Sequence, residues 1–169
     1  MKLNNLRTGL TFDDVLLVPQ KSTIRSRHDV SLETTFSRNI ELTIPISAAN
    51  MDTVCESEMA IAIANLGGIG VIHRFMTMTA QANQIRLVKS QGDLLVGAAI
   101  GTDHDMLDRS KELVDSGADA LVLDIAHGHA DHAIQAVVEL KKMFNSIDII
   151  AGNVATRKGA EDLIRAGAD

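Results

Sequence analysis

The chain has no tryptophan, no tyrosine, a single cysteine and only four phenylalanines among its 169 residues. One cysteine, Cys55, excludes an internal disulfide framework and fits a reducing compartment. Without large aromatics the core falls to Ile, Leu, Val, Ala and Met. Basic residues are also scarce: 16 Lys and Arg stand against 22 Asp and Glu, for a net charge of -6 and a pI near 5.4. That balance, with no polybasic run, argues against a protein that tracks nucleic-acid phosphates. No apolar stretch approaches the roughly 18 uninterrupted residues of a spanning helix, and the opening "MKLNNLRTGL" lacks the apolar region of a signal peptide. These absences predict a cytoplasmic globular domain with neither nucleic acid nor membrane as partner. The 46% hydrophobic and 22% charged residues suffice for one buried core.

What is present is an alternation. Five apolar, strand-like runs, "IPISAAN" (Ile44 to Asn50), "IGVIH" (Ile69 to His73), "LLVGAAI" (Leu94 to Ile100), "ALVLDIA" (Ala120 to Ala126) and "IDIIAGN" (Ile147 to Asn153), each lead into an amphipathic stretch. In the first such stretch Met59, Ile63 and Leu66 fall on one helical face. In the second Thr79 stands at the N-cap position, with Ile85 and Val88 on the inner stripe. In the third Met106, Leu107, Leu113 and Val114 are apolar. Short continuous apolar strands alternating with helices predict a parallel sheet covered by crossover helices. Glycines in "LGGIGV", "SGADAL" and "AGAD" stand where a helix can end in a left-handed conformation.

The units recur about every 25 residues, and eight of them would fill the roughly 250 residues of a (β/α)8 barrel. Five are present, so residues 1–169 read as the amino-terminal part of one α/β barrel domain. Asp169 stands on the turn that should launch a sixth strand. The rival architecture, a doubly wound sheet, wants a G-x-G-x-x-G after its first strand, and "GGIGVIH" fails both the spacing and the following helix.

In a barrel, chemistry sits at the carboxyl ends of the strands. "DIAHGHADH" places His127, His129 and His132 in one loop, which reads either as hydrogen-bonding histidines or as an H-x-H offer to a divalent ion, without an acidic or cysteine partner fixed by spacing. Asp124, a carboxylate ending an apolar strand, is costly to desolvate unless something binds it. It reads as a ligand anchor, such as an acceptor for ribose hydroxyls, or as a helix cap. Asn153 offers an amide donor and acceptor to a polar ligand, or an Asx-turn. Met51, between Asn50 and Asp52, could pack on a planar base or fill the barrel top. Cys55 reads as a buried, inert thiol. No Ser/His/Asp spacing, metalloprotease motif or P-loop is present.

At these loops the chain resembles the IMP dehydrogenase and GMP reductase superfamily. "LTFDDVLLVP", "IPISAANMDTV", "GGIGVIHRFM", "QANQIRLVK", "GAAIGT", "GADALVLDIAHGH" and "AGNVAT" match it in order and across almost the whole length. The resemblance implies a (β/α)8 barrel, a homotetramer, IMP or GMP as substrate and NAD or NADPH as cofactor. It implies that Ala49, Asn50 and Met51 lie against the purine, with Asn153 near the nucleotide. It implies that Asp124, with Ile125 and Ala126, meets the nicotinamide ribose, and that Gly101 and Thr102 border the dinucleotide. The family's catalytic cysteine sits on a glycine-rich loop after the sixth strand, and its K+ site lies further on; both are expected downstream of Asp169, so no catalytic residue is assigned within the chain. A thiolate nucleophile there would attack C2 of IMP, splitting one hard step into two.

The CBS modules that most dehydrogenases insert after the second helix have no counterpart, since "RLVKSQGDLLVGAAIG" runs straight on. "SAANMDTV" and "KSTIRSRHDV" look more like GMP reductase, whereas "LTFDDVLLVP", "GGIGVIH", "QANQIRLVK", "GAAIGT" and "AGNVAT" look more like the dehydrogenase. The reading is an NAD-dependent IMP dehydrogenase. Its alternatives are an NADPH-dependent GMP reductase and a non-catalytic barrel fragment.

Overall fold

The computed structural model describes residues 9–169, which divide into two units, 9–31 and Leu32–Asp169. The first unit holds two single turns of 3-10 helix, Phe12–Asp14 and Arg27–Asp29. Each is closed by its own carboxylate. Asp14 accepts from the backbone N–H and hydroxyl of Thr11, and Asp29 accepts from the N–H of Ser26. "LTFDDVLLVP" and "KSTIRSRHDV" lie largely in this unit.

The second unit opens with a hairpin, β1 (Thr34–Ser37) and β2 (Ile40–Leu42). Five strand-then-helix units follow: β3 (Ser47–Ala48) with α1 (Ser57–Asn65), β4 (Ile69–Ile72) with α2 (Met78–Lys89), β5 (Val96–Ile100) with α3 (Met106–Asp115), β6 (Ala120–Asp124) with α4 (Asp131–Met143), and β7 (Asp148–Gly152) with α5 (Arg157–Ala166). Strands β3 to β7 form one parallel sheet in sequential order. Every residue of β4 and β5 is buried, as the continuous apolar runs require. A doubly wound sheet reverses its strand order at a switch point, and no reversal occurs among the described residues.

The pleat sorts side chains between two cores. Ile72, Val96, Ala98, Ile100, Leu121, Leu123 and Ile149 face the helices, where Ile85, Val88, Leu113, Val137, Leu140 and Leu163 meet them. On the opposite face Ile69, Ala120 and Ile150 pack with Phe36, Ile40 and Leu42 of the hairpin.

Three details of the helix reading change. Met59 and Leu66 are exposed and Ile63 half-buried, and the buried stripe of α1 is Ser57 and Ala60. The cause is a close approach: a Cβ on Gly70 of β4 would lie 2.5 Å from the Cα of Ala60, so bulky side chains cannot face the sheet there. Thr77, not Thr79, caps α2, its hydroxyl accepting from the Ala80 N–H, because the helix begins at Met78 and Thr79 already lies inside its first turn. On α3 Leu107 points outward, while Ser110 shares the inner stripe with Met106 and Leu113. The strand "IPISAAN" shrinks to two paired residues, Ser47 and Ala48. Ile85 and Val88 are buried as expected.

The repeated "GAD" phrase proves to be a latch at the amino edge of the sheet. Gly117 ends α3 at φ 103°, and two residues later the Asp119 carboxylate accepts from Lys89 Nζ at 2.7 Å and from the Val96 N–H at 2.8 Å. The Asp119 N–H donates to the Val96 carbonyl at 2.9 Å. Two units later Gly167 ends α5 at φ 110°, and Asp169 accepts from Lys141 Nζ at 2.7 Å and from the Ile149 N–H at 3.0 Å. Its own N–H donates to the Ile149 carbonyl at 2.9 Å. Asp148, buried at the start of β7, plays a related part toward the hairpin, accepting from the Ser37 hydroxyl at 2.6 Å, the Asn39 N–H at 2.8 Å and the Asn39 amide at 2.6 Å. Burial alone would raise the Asp148 carboxyl. The bonds from Ser37 and Asn39 and the nearby Lys141 charge outweigh it and hold the group below its ordinary value.

Asp119→Ala should destabilise the protein by about 2 kcal/mol, since it strands the Lys89 ammonium and the Val96 N–H together. Urea unfolding checks this, and a loss under about 0.5 kcal/mol would show the latch to be ornamental. Asp148 has a depressed folded-state pKa, so its contribution is complete above the unfolded carboxylate value near about 4 and is lost as pH falls through the lower folded value. Asp148→Asn should therefore be less stable at neutral pH, with a flatter stability profile across that acidic window. Identical profiles in urea unfolding at stepped pH would contradict it.

Candidate functional site

The carboxyl ends of β3 to β7 carry the loops singled out in the sequence, and the register decides which of them meet. Asp124 ends β6 opposite Gly152, which ends β7. Asp124 shares its strand face with Val122 and Ala120, so it stands on the face away from the helices. Its carboxylate meets no hydrogen-bond or ion-pair partner among the described residues. The cap of α4 is Ala130, so Asp124 is not a helix cap. Beside it Gly152 has open space: a Cβ added there would meet nothing within 4 Å. A half-buried, unpaired carboxylate next to an unobstructed strand end is an acceptor waiting for hydroxyl or N–H donors.

The loops after β6 and β7 are sewn together by their backbones. Ile125 N–H donates to Gly152 O at 3.2 Å, Asn153 N–H to Ile125 O at 2.7 Å and Gly128 N–H to Asn153 O at 2.8 Å. Gly128 must be glycine in this arrangement, since a Cβ would lie 2.7 Å from the Gly152 carbonyl carbon. The Gly152–Asn153 peptide bond is cis. Asn153 is exposed, and its side-chain amide makes no Asx-turn and no hydrogen bond among the described residues. Ile125 is half-buried and Ala126 exposed.

His129 is no free ligand. Its Nε2 lies 3.0 Å from Asp162 Oδ2 on α5, which ties the β6 loop to the helix that follows Asn153. Bonds from Lys158 and then from His129 hold the Asp162 carboxyl below its ordinary value. His127 and His132 are exposed. No group of three or more His, Cys, Asp or Glu able to hold a metal ion occurs among the described residues.

Ile100 pairs with Leu123, so Gly101 follows β5 at the level where Asp124 ends β6. Gly101 is buried and Thr102 half-buried. Thr102 lines a cavity of about 460 Å³ that reaches His104 and Met106 on the α3 side and His132 and Gln135 on α4. Beyond β4, Ala49, Asn50 and Met51 follow β3. Met51 is 54% exposed and is no core filler. Its carbonyl accepts from the N–H groups of Val54 and Cys55, which turns the backbone so that the thioether stands outward.

The sequence reading passed over the end of β4. Arg74 lies 3.5 Å from Asp103 of the β5 loop and 5.3 Å above the Phe75 ring. A Cβ on Gly101 would stand 3.0 Å from Arg74 Nη1. Buried His73 bridges Glu56 at 3.2 Å and the Phe75 N–H at 3.2 Å. The signal was available in "IHRFM", whose polar residues directly follow a buried strand.

Cys55 is 1% exposed and packs against Ala60 and Gly70, and burial pushes its thiol up to about 11. A thiol so buried and so protonated is no nucleophile. Native protein at pH 8 should leave Cys55 unlabelled by a disulfide reagent, with full labelling in denaturant. Rapid labelling of the folded chain would contradict this packing.

The IMP dehydrogenase / GMP reductase domain model matches residues 9–169. The chain is 38% identical to an inosine-5'-monophosphate dehydrogenase of Cryptosporidium parvum, over 100% of this chain and 52% of the relative. It is 32% identical to one of Nitrosopumilus maritimus, over 96% of this chain and 60% of the relative. It is also 31% identical to a GMP reductase of Leishmania major, over 99% of this chain and 61% of the relative. The chain thus spans between 52% and 61% of the length of these relatives. The stretch aligned with each is longer than the chain itself, so each relative carries residues there that have no counterpart here. No helix among the described residues is long and apolar enough to cross a membrane. With the domain model matched from residue 9 to residue 169 and a relative 38% identical over 100% of this chain, the chain belongs to the IMP dehydrogenase / GMP reductase family.

Proposed function

We propose that the chain is the amino-terminal part of a single (β/α)8 barrel, without a CBS insert, of a cytoplasmic, homotetrameric IMP dehydrogenase that converts IMP, NAD and water to XMP and NADH. The observation that carries the reading is the Asp124 carboxylate, partnerless and beside the open end of β7. It fits a dinucleotide: two vicinal ribose hydroxyls need an acceptor, and an ionised carboxylate accepts from both. Ile125, Ala126, Gly101 and Thr102 would hold the same cofactor along the ends of β5 and β6. When bound, the nicotinamide supplies the hydride acceptor. Ala49, Asn50 and Met51 would receive the purine, the exposed thioether lying against the base, and Asn153 would offer its amide to the nucleotide. The strands β3 and β7 are the edges of the sheet described, and barrel closure would pair both. The nucleophilic cysteine and the K+ site belong to the part expected beyond Asp169.

A second reading, reduction of GMP with NADPH, has the same barrel. It is favoured by Asn50 ahead of Met51 and by the likeness to the Leishmania major protein.

The test is absorbance at 340 nm with the intact gene product. A rise with IMP and NAD is expected; a fall with GMP and NADPH would move the assignment to the reductase, and silence from both would sink it. Asp124→Ala should raise the dinucleotide KM about tenfold or more with little change in Tm, and an unchanged KM in a folded variant would strip Asp124 of its role.

A further inference from the structure

Gln81 is fully buried on α2, a helix whose neighbours Ala82, Ile85 and Val88 already supply its apolar contact with the sheet. A buried amide is costly unless every group is paired, and packing alone does not require it here. Its partners show what it does. Nε2 donates to the carbonyl of Ala99 at 2.7 Å and to that of Ile72 at 3.3 Å. Ile72 closes β4, and Ala99 stands one residue before the end of β5. The Gln81 oxygen accepts from Arg109 Nη1 at 2.9 Å. That same nitrogen donates to Met76 O at 3.2 Å, and the rest of the guanidinium is held by Asp105 at 3.0 and 3.1 Å. One buried amide therefore joins the ends of two adjacent strands, and through Arg109 it fixes both the end of the β4 loop and the start of α3.

The two loops so held face each other across a cavity of about 280 Å³ lined by Arg74, Gly101, Asp103, His104, Asp105 and Arg109. The clearance there is small: Gly101 has room for no Cβ beside Arg74 and Asp103. A shift of either loop would close this passage or spread it, and would move the Gly101–Thr102 backbone.

We propose that Gln81, buttressed by Arg109, is a positioning residue for the dinucleotide: by setting the spacing between the β4 loop and the β5 loop it holds Gly101 and Thr102, which border the cofactor, and leaves the purine end, on β3 and β7, untouched. The inference rests on the dinucleotide reading above. Its geometric half stands separately, because loop motion is measurable without turnover.

Two variants and two readouts test it. Gln81→Met keeps the volume and removes all the hydrogen bonds. Gln81→Glu keeps the acceptor for Arg109 and removes the donors to Ile72 and Ala99. Both should raise the dinucleotide KM about tenfold or more while the purine-nucleotide KM stays within about twofold of the wild type. In hydrogen exchange, peptides covering 72–77 and 99–104 should lose protection together, and the 124–130 loop should not. Arg109→Lys, which keeps the charge beside Asp105 and offers a single donor group, should fall between wild type and Gln81→Met. Parallel rises in both KM values, or unchanged exchange in 72–77 and 99–104 in a folded variant, would overturn the proposal. Should the exchange change as expected in a protein that turns over neither dinucleotide, the functional reading fails and the clamp on the two loops survives.

Discussion

The register of the parallel sheet is the constraint from which the site follows, and buried or half-buried carboxylates lock it at the amino edge. Asp119 and Asp169 each accept from a strand N–H and from the lysine of a preceding helix, so a helix end, a strand start and the neighbouring strand are fixed by one group. Slippage by one residue would unmake those bonds and turn each alternating side chain to the wrong face. With the register held, Asp124 must end beside Gly152, and Gly101 must end at the level of Asp124.

The opposite edge is built by the reverse economy. At the amino end polar groups are paired, whereas at the carboxyl end several remain free. Asn153 and Met51 are exposed, and the side chains of Asp124 and Asn153 have no hydrogen-bond or ion-pair partner among the described residues. The contrast separates an end of the sheet whose polar groups are spent on stability from an end that leaves polar groups available, the division that the proposed barrel would use. Polar groups that are paired at the carboxyl end, such as His129 with Asp162 and Gln81 with Arg109, tie one loop to the next element rather than meeting solvent.

Close backbone approach sets the finer shape. Ala60 against Gly70 draws α1 onto the sheet, and Gly128 against Gly152 brings the β6 loop over the end of β7. Both are contacts in which a side chain would have no room. They explain why the inner stripe of α1 is small residues rather than its methionine and leucine, and why the Asp124 and Asn153 loops share backbone hydrogen bonds.

Much of this was legible in the sequence. Apolar runs at a regular period specify alternating strands and helices through burial alone, and "GAD" marks the ends of α3 and α5 because glycine readily adopts the left-handed turn there. Asp124 could be picked out as a candidate because a carboxylate closing an apolar strand carries a desolvation cost, and Asn153 because it closes the next such run. The sequence could not show that Met59 and Leu66 face outward, since hydrophobicity does not encode how near the sheet lies. Nor could it show that Thr77 takes the capping bond from Thr79, that His129 is spent on Asp162, or that Gln81 spans two strand ends. Those were decided by tertiary contact, because which of several chemically able groups finds a partner depends on distances between residues far apart in the chain.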